Sequence, residues 1–116
     1  MHDQGHLTNG TIRDHPFLAD LYADPYFPKP VVDKAKNILV DLCYEIEAQK
    51  PKDVQALYLL THRATERFND LQADFEANGS ELETGAREAI GADFDFIAKA
   101  YGYDADVEEL IAPREW

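Results

Sequence analysis

The chain has few of the residues on which covalent catalysis and cross-linking depend. Its 116 residues include one cysteine, Cys43, and one serine, Ser80. Because a single cysteine cannot form an internal disulfide, a reducing compartment such as the cytoplasm is expected. Nucleophilic catalysis would need an activating base beside one of these side chains, and no motif in the sequence supplies one. We therefore assign no catalytic residue, and an enzyme is the less favoured interpretation.

Long apolar runs and basic side chains are also scarce. No apolar run approaches membrane-spanning length, and the polar N-terminus lacks the pattern of a signal peptide. Lysine and arginine together number 11 against 23 acidic residues, which gives a formal charge of −12. Residues 71–116 contain twelve acidic and three basic side chains, so this part alone carries −9. Such a field disfavours binding to nucleic acid and to anionic membranes.

Apolar residues recur every three or four positions along most of the chain, which is the period of a helix with one buried face. One such stripe predicts a helix over about 51–77, and others predict helices over 30–49 and 82–101. Shorter helices are expected near 16–23 and after Asp104, which would serve as a cap. A chain of this length buries one core. The sequence thus predicts an all-α, single-domain bundle of four to five helices.

The two ends of this bundle have distinct local signals. Residues 1–13 are polar and predict a flexible tail, which leaves 14–116 as the helical domain. Aromatic residues and prolines follow, and they predict an N-terminal strap laid across the bundle. Asn78-Gly79 is suited to end a helix. Ser80-Glu-Leu-Glu83 has the spacing of a capping box, in which Ser80 would cap the next helix.

The acidic excess in the last part of the chain defines the first candidate site. A basic protein surface is the partner that such a charge would attract, and solubility alone is the simpler alternative. The residues assigned to partner binding are Glu88, Asp95, Asp106, Glu108 and Glu109. The sequence does not fix the oligomeric state.

A second candidate site lies on the helix predicted over 51–77. His62, Glu66 and Asp70 are spaced four residues apart, and Thr61 adjoins them. One imidazole and two carboxylates could hold a divalent metal or a small ligand, and His62 with Glu66 could serve catalysis. Arginines interleaved with these residues favour a solvated surface instead. No cofactor is expected in the main interpretation, and a divalent metal belongs to the alternative.

Four stretches of the chain have distinctive wording: LYADPYFPK at 21–29, VDKAKNILVDLC at 32–43, LYLLTHRATERFNDLQ at 57–72 and DFDFIAKAYGYDADVEELI at 93–111. Through these phrases the chain from Leu21 onward resembles a family of small, mostly bacterial proteins described only as a domain of unknown function. The resemblance implies a self-standing bacterial unit, but it brings no activity and no functional residue.

Overall fold

Three long helices dominate the fold. A computed structural model describes residues 3–116, and all regular secondary structure in this range is helical. A 3-10 turn at Gln4–His6 precedes six α-helices: α1 (Gly10–Arg13), α2 (Ala19–Ala23), α3 (Lys29–Gln49), α4 (Val54–Ala77), α5 (Thr84–Ala100) and α6 (Val107–Leu110). The all-helical class is confirmed, whereas the number of four to five helices is not. Between residues 3 and 116, no helix is both long and apolar enough to cross a membrane.

Helices α3 and α4 form an antiparallel pair joined by a short turn. Lys50, in the left-handed conformation with φ of 47°, follows α3, and the Asp53 side chain caps the start of α4. Ion pairs along the exposed outer seam join the two helices. These pairs are Lys34–Asp74 at 3.0 Å, Arg67–Asp41 at 3.1 Å and Arg63–Glu45 at 3.8 Å. The interleaved arginines of α4 therefore belong to a solvated surface that links the two helices.

The core lies where α5 packs against this pair. Phe94 of α5 meets Phe68 of α4 with ring centroids 5.9 Å apart, and Trp116 lies 6.0 Å from Phe68 on another side. Phe68 and Phe94 are at most 1% exposed. Edge-to-face packing of such rings adds to the stabilisation that burial of their area provides.

The junction of α4 and α5 differs in part from the sequence prediction. Gly79 has a φ of 82°, and the Ser80 amide donates to the Phe75 carbonyl at 2.9 Å, so α4 ends at Asn78-Gly79 as predicted. The Ser80 hydroxyl also bonds the Phe75 carbonyl and not the next helix. Glu83 caps α5 by accepting from the Ala86 amide at 3.1 Å. The capping box on Ser80 was therefore wrong, because the hydroxyl completes the end of α4.

The N-terminal segment packs against the bundle. Leu7 and Ile12 are buried, at 1% and 0% exposure, so two apolar side chains anchor this otherwise polar segment. The division into a flexible tail over 1–13 and a helical domain over 14–116 stays a prediction. The first two residues of the chain lie outside the described range. In the predicted strap Phe17, Leu18, Leu21 and Phe27 are buried, whereas Tyr22 and Tyr26 are exposed.

Candidate functional site

An open groove of about 500 Å³ lies between α5 and α6. Gly91 lies at its floor, and a Cβ added there would meet Cδ1 of Ile111 at 3.7 Å, which is ordinary contact. A schellman-type turn at Gly102, with φ of 86°, ends α5 and leads the chain back toward α6. The groove is lined by Thr84, Arg87, Glu88, Gly91, Ala92, Asp95, Val107, Glu108, Ile111 and Arg114.

The structure brings three of the five predicted partner-binding residues to this groove, namely Glu88, Asp95 and Glu108. Asp106 has a different position, because it caps α6 by accepting from the Glu108 amide at 3.0 Å. The cap predicted at Asp104 is therefore two residues too early. Glu109 has an exposed side chain, and its backbone carbonyl is used in a contact with α4. The acidic residues thus divide into groove-lining and structural groups.

Charges within the groove are partly paired. Asp95 pairs with Lys99 at 2.8 Å, and its hydrogen bond and negative charge raise the pKa of Lys99. Glu108 lies 3.6 Å from Arg114, which is a longer contact. Glu88 has neither an ion pair nor a hydrogen bond to any other residue between 3 and 116. Glu88 is therefore the groove carboxylate that remains available to another molecule, while Arg87 beside it uses its Nε to donate to the Leu82 carbonyl.

The four residues of the α4 candidate site do not converge. Thr61 is buried at 1% exposure, and its hydroxyl donates to the Tyr58 carbonyl at 3.3 Å. His62 is half-buried, with Nε2 2.6 Å from the Glu109 carbonyl oxygen, so it joins α4 to α6. Glu66 and Asp70 are exposed. Thr61 is thus a core residue, His62 joins two helices, and Glu66 and Asp70 are surface carboxylates.

A metal interpretation of α4 finds no supporting geometry. In the part of the chain that the structure describes, no three His, Cys, Asp or Glu side chains are grouped to hold a metal ion. Asp41 and Glu45, which face α4 from α3, lie beside Arg67 and Arg63. A cation at this seam would have to displace the guanidinium groups.

A polar cluster that the sequence did not reveal holds the N-terminal segment to α3 and α5. Glu47 of α3 accepts from the backbone amides of Thr8, at 2.9 Å, and Asn9, at 3.1 Å. It also accepts from the Tyr101 hydroxyl at 2.5 Å. Burial raises the pKa of Glu47, but these donors outweigh burial and leave the pKa below its ordinary value.

A second carboxylate anchors the same segment a little further along. Asp93, 8% exposed, accepts from the Leu18 amide and contacts Nε2 of His15, both at 2.8 Å. His15 also stacks on Phe96, with ring centroids 3.8 Å apart. Leu18 has a φ of 56°, a left-handed conformation that is costly for a residue with a Cβ. Asp93 therefore stabilises a strained turn at the start of α2.

The one thiol near this cluster, that of Cys43, is unsuited to nucleophilic catalysis. Cys43 is fully buried, and burial together with the charges of Glu47 and Asp93 raises the pKa of its thiol. A thiol with a raised pKa stays protonated and is a poor nucleophile. The carboxylates of the cluster are already occupied by donors from the chain. No local motif signals the cluster, because its members come from distant parts of the sequence and meet only through the fold.

These features define a small all-helical protein with an open groove beside α5 and a hydrogen-bonded N-terminal segment. The chain belongs to a family of unknown function, DUF5713, whose model matches residues 11–116. No curated protein and no solved structure matches the chain. Membership of a family of unknown function is thus confirmed, whereas the bacterial origin and the shared phrases stay predictions.

Proposed function

We propose that this protein is a non-enzymatic binding module that holds a basic segment of a partner protein in the groove between α5 and α6. The observation that carries the proposal is Glu88, a groove carboxylate without an ion pair in residues 3–116. A lysine or arginine of a partner would supply the missing opposite charge. The apolar side chains of Val107 and Ile111 offer contact area for the stem of such a residue.

The surroundings of the groove support a basic partner. The part of the chain that contains α5 and α6 carries most of the formal charge of −12, which favours the approach of a positively charged surface. Asp95 and Glu108 add negative charge on either side of Glu88, although their contacts with Lys99 and Arg114 reduce their contribution. Glu88 should consequently contribute more than either neighbour.

A peptide library displayed on phage tests the proposal without a known partner. Selection on the wild-type protein should enrich sequences rich in lysine and arginine, and a selected peptide should bind more weakly as salt concentration rises. The variant Glu88→Lys/Glu108→Lys should bind that peptide about tenfold more weakly or worse. Fluorescence anisotropy measures the Kd.

The matched control is Glu66→Lys/Glu76→Lys, which makes the same change of net charge on the exposed side of α4. It should reduce affinity much less, because its carboxylates lie outside the groove. Equal weakening in both double variants would show that only net charge matters. Either that result, or selection of peptides without basic residues, would refute the groove as the binding site.

The metal or small-ligand alternative for His62 and Glu66 stays a prediction. The contact of His62 with the Glu109 carbonyl supports a structural role for this histidine. Because no observation favours the alternative, we do not propose it as a second function.

A further inference from the structure

A second groove lies on the adjoining face of α5, toward α2. Its volume is about 400 Å³, and Leu21 and Phe27 form its apolar wall on the α2 side. Glu88 and Ala92 line this groove and also the groove between α5 and α6. The two grooves therefore meet across one turn of α5.

Most side chains of α5 where the two grooves meet are short. The exposed Ala92 lines both grooves, and Gly85 and the half-buried Ala89 adjoin it on the α2 side, so no side chain at these three positions extends beyond Cβ. Glu88 is the one long side chain at this crossing, and it is exposed and without a partner in residues 3–116. A single segment of another protein can cross α5 at this point by moving one flexible carboxylate.

The two grooves differ in charge. The groove beside α2 is lined by the carboxylates of Asp20, Asp24, Glu83 and Glu88 and, among residues 3–116, by no basic side chain. The groove beside α6 contains Arg87 and Arg114 as well as three carboxylates. A bound segment thus meets a strongly negative end at α2 and a mixed end at α6. This difference fixes the direction in which a basic segment would lie.

From this geometry we infer that one amphipathic segment of the partner occupies both grooves, with its basic end beside α2. Its small or apolar side chains cross α5 over Ala92, and its lysines or arginines face Asp20 and Asp24. This inference rests on the proposed function and adds the second groove, the orientation and the charge pattern of the partner. Opposite charge supplies orientation and specificity, and apolar contact supplies affinity.

Two substitutions test the second groove with the phage-selected peptide as the probe. Asp20→Lys reverses an exposed charge that has no hydrogen bond or ion pair to residues 3–116. Ala92→Leu fills the shared floor at an exposed helix position. Each should weaken binding about tenfold. The matched controls, Glu76→Lys and Ala73→Leu, lie on exposed positions of α4 and should change the Kd by less than about twofold.

Photo-crosslinking gives an independent measure of orientation. A benzophenone placed at the basic end of the peptide should label residues 19–27, and one at the other end should label residues 107–114. The reversed labelling would overturn the inferred direction.

The variants separate this inference from the proposed function. If Asp20→Lys binds like wild type while Glu88→Lys/Glu108→Lys binds weakly, the second groove is excluded and the module remains. If neither variant weakens binding, both proposals fail. Circular dichroism of every variant shows whether a lost signal reflects loss of fold.

Discussion

Two groups of carboxylates in this molecule have contrasting surroundings. Glu47 and Asp93 lie at the edge of the core and accept hydrogen bonds from backbone amides of the N-terminal segment. Glu88 and Asp20 are exposed and accept none within residues 3–116. The first group holds the chain together, and the second leaves its charge available. Acidic composition alone therefore does not identify a binding surface, because carboxylates that already accept several hydrogen bonds from the chain have less capacity to bind a partner.

The largest effect on stability should come from Asp93→Ala. The substitution leaves the Leu18 amide without its acceptor and separates His15 from its carboxylate. A buried amide that is left without its acceptor is costly, and we expect the free energy of unfolding to fall by about 3 kcal/mol. Urea unfolding measures it. Asp95→Ala, two positions away in a more exposed pair, should cost less than about 1 kcal/mol. Similar costs for the two variants would contradict the anchoring role of Asp93.

A smaller, pH-dependent effect is expected for Glu47→Gln. Because hydrogen bonds lower the pKa of Glu47 in the folded state, its ionised form stabilises the fold above the unfolded pKa of about 4.3. That contribution is lost as pH falls through the lower folded pKa. The variant should cost about 1–2 kcal/mol at pH 7, and the difference from wild type should shrink in acid.

Urea unfolding between pH 7 and pH 3 measures this trend. Glu45→Gln is the control on the same helix, since its contact with Arg63 is 3.8 Å long and exposed. A difference between wild type and Glu47→Gln that stays constant with pH would show that the ionised carboxylate is not responsible.

His62→Ala should have a still smaller effect. It removes the hydrogen bond to the Glu109 carbonyl, which joins α4 to α6, and should lower stability by about 1 kcal/mol. Arg63→Ala, the exposed neighbour, should cost less than about 0.5 kcal/mol. Calorimetric titration with zinc adds a separate readout. A heat of binding that His62→Ala abolishes would favour the metal interpretation over the structural one.

The comparison also shows how far the sequence leads. The three long helices are predictable because apolar residues repeat at helical spacing, and Asn78-Gly79 marks an end by its conformational preference. The role of Ser80 was not predictable, because the same hydroxyl can bond the last carbonyls of α4 or cap the start of α5. Which of the two it does depends on the tertiary structure. Leu7 and Ile12 lack a periodic pattern, and their burial accompanies the long-range hydrogen bonds from Thr8 and Asn9 to Glu47, which no local pattern reveals.

The candidate site divides in the same way. Charge asymmetry along the chain made Glu88, Asp95 and Glu108 candidates, and the structure places these three side chains beside one groove. The second groove was not predictable, since Asp20 and Asp24 come from a short helix distant in the sequence. Their approach to α5 depends on the left-handed turn at Leu18, which Asp93 stabilises. The structural carboxylates thus position part of the surface that the exposed ones form.

The smallest effect on stability is expected for Glu88→Lys. Because folding should be almost unchanged, this variant reports on binding alone. An exposed side chain without partners in residues 3–116 contributes little to folding, so the free energy of unfolding should change by less than about 0.5 kcal/mol. Affinity for a basic peptide should nevertheless fall, because the carboxylate lines both grooves. Urea unfolding and fluorescence anisotropy on the same sample measure the two quantities. A large loss of stability would instead place Glu88 among the structural carboxylates and remove the contrast between the two groups.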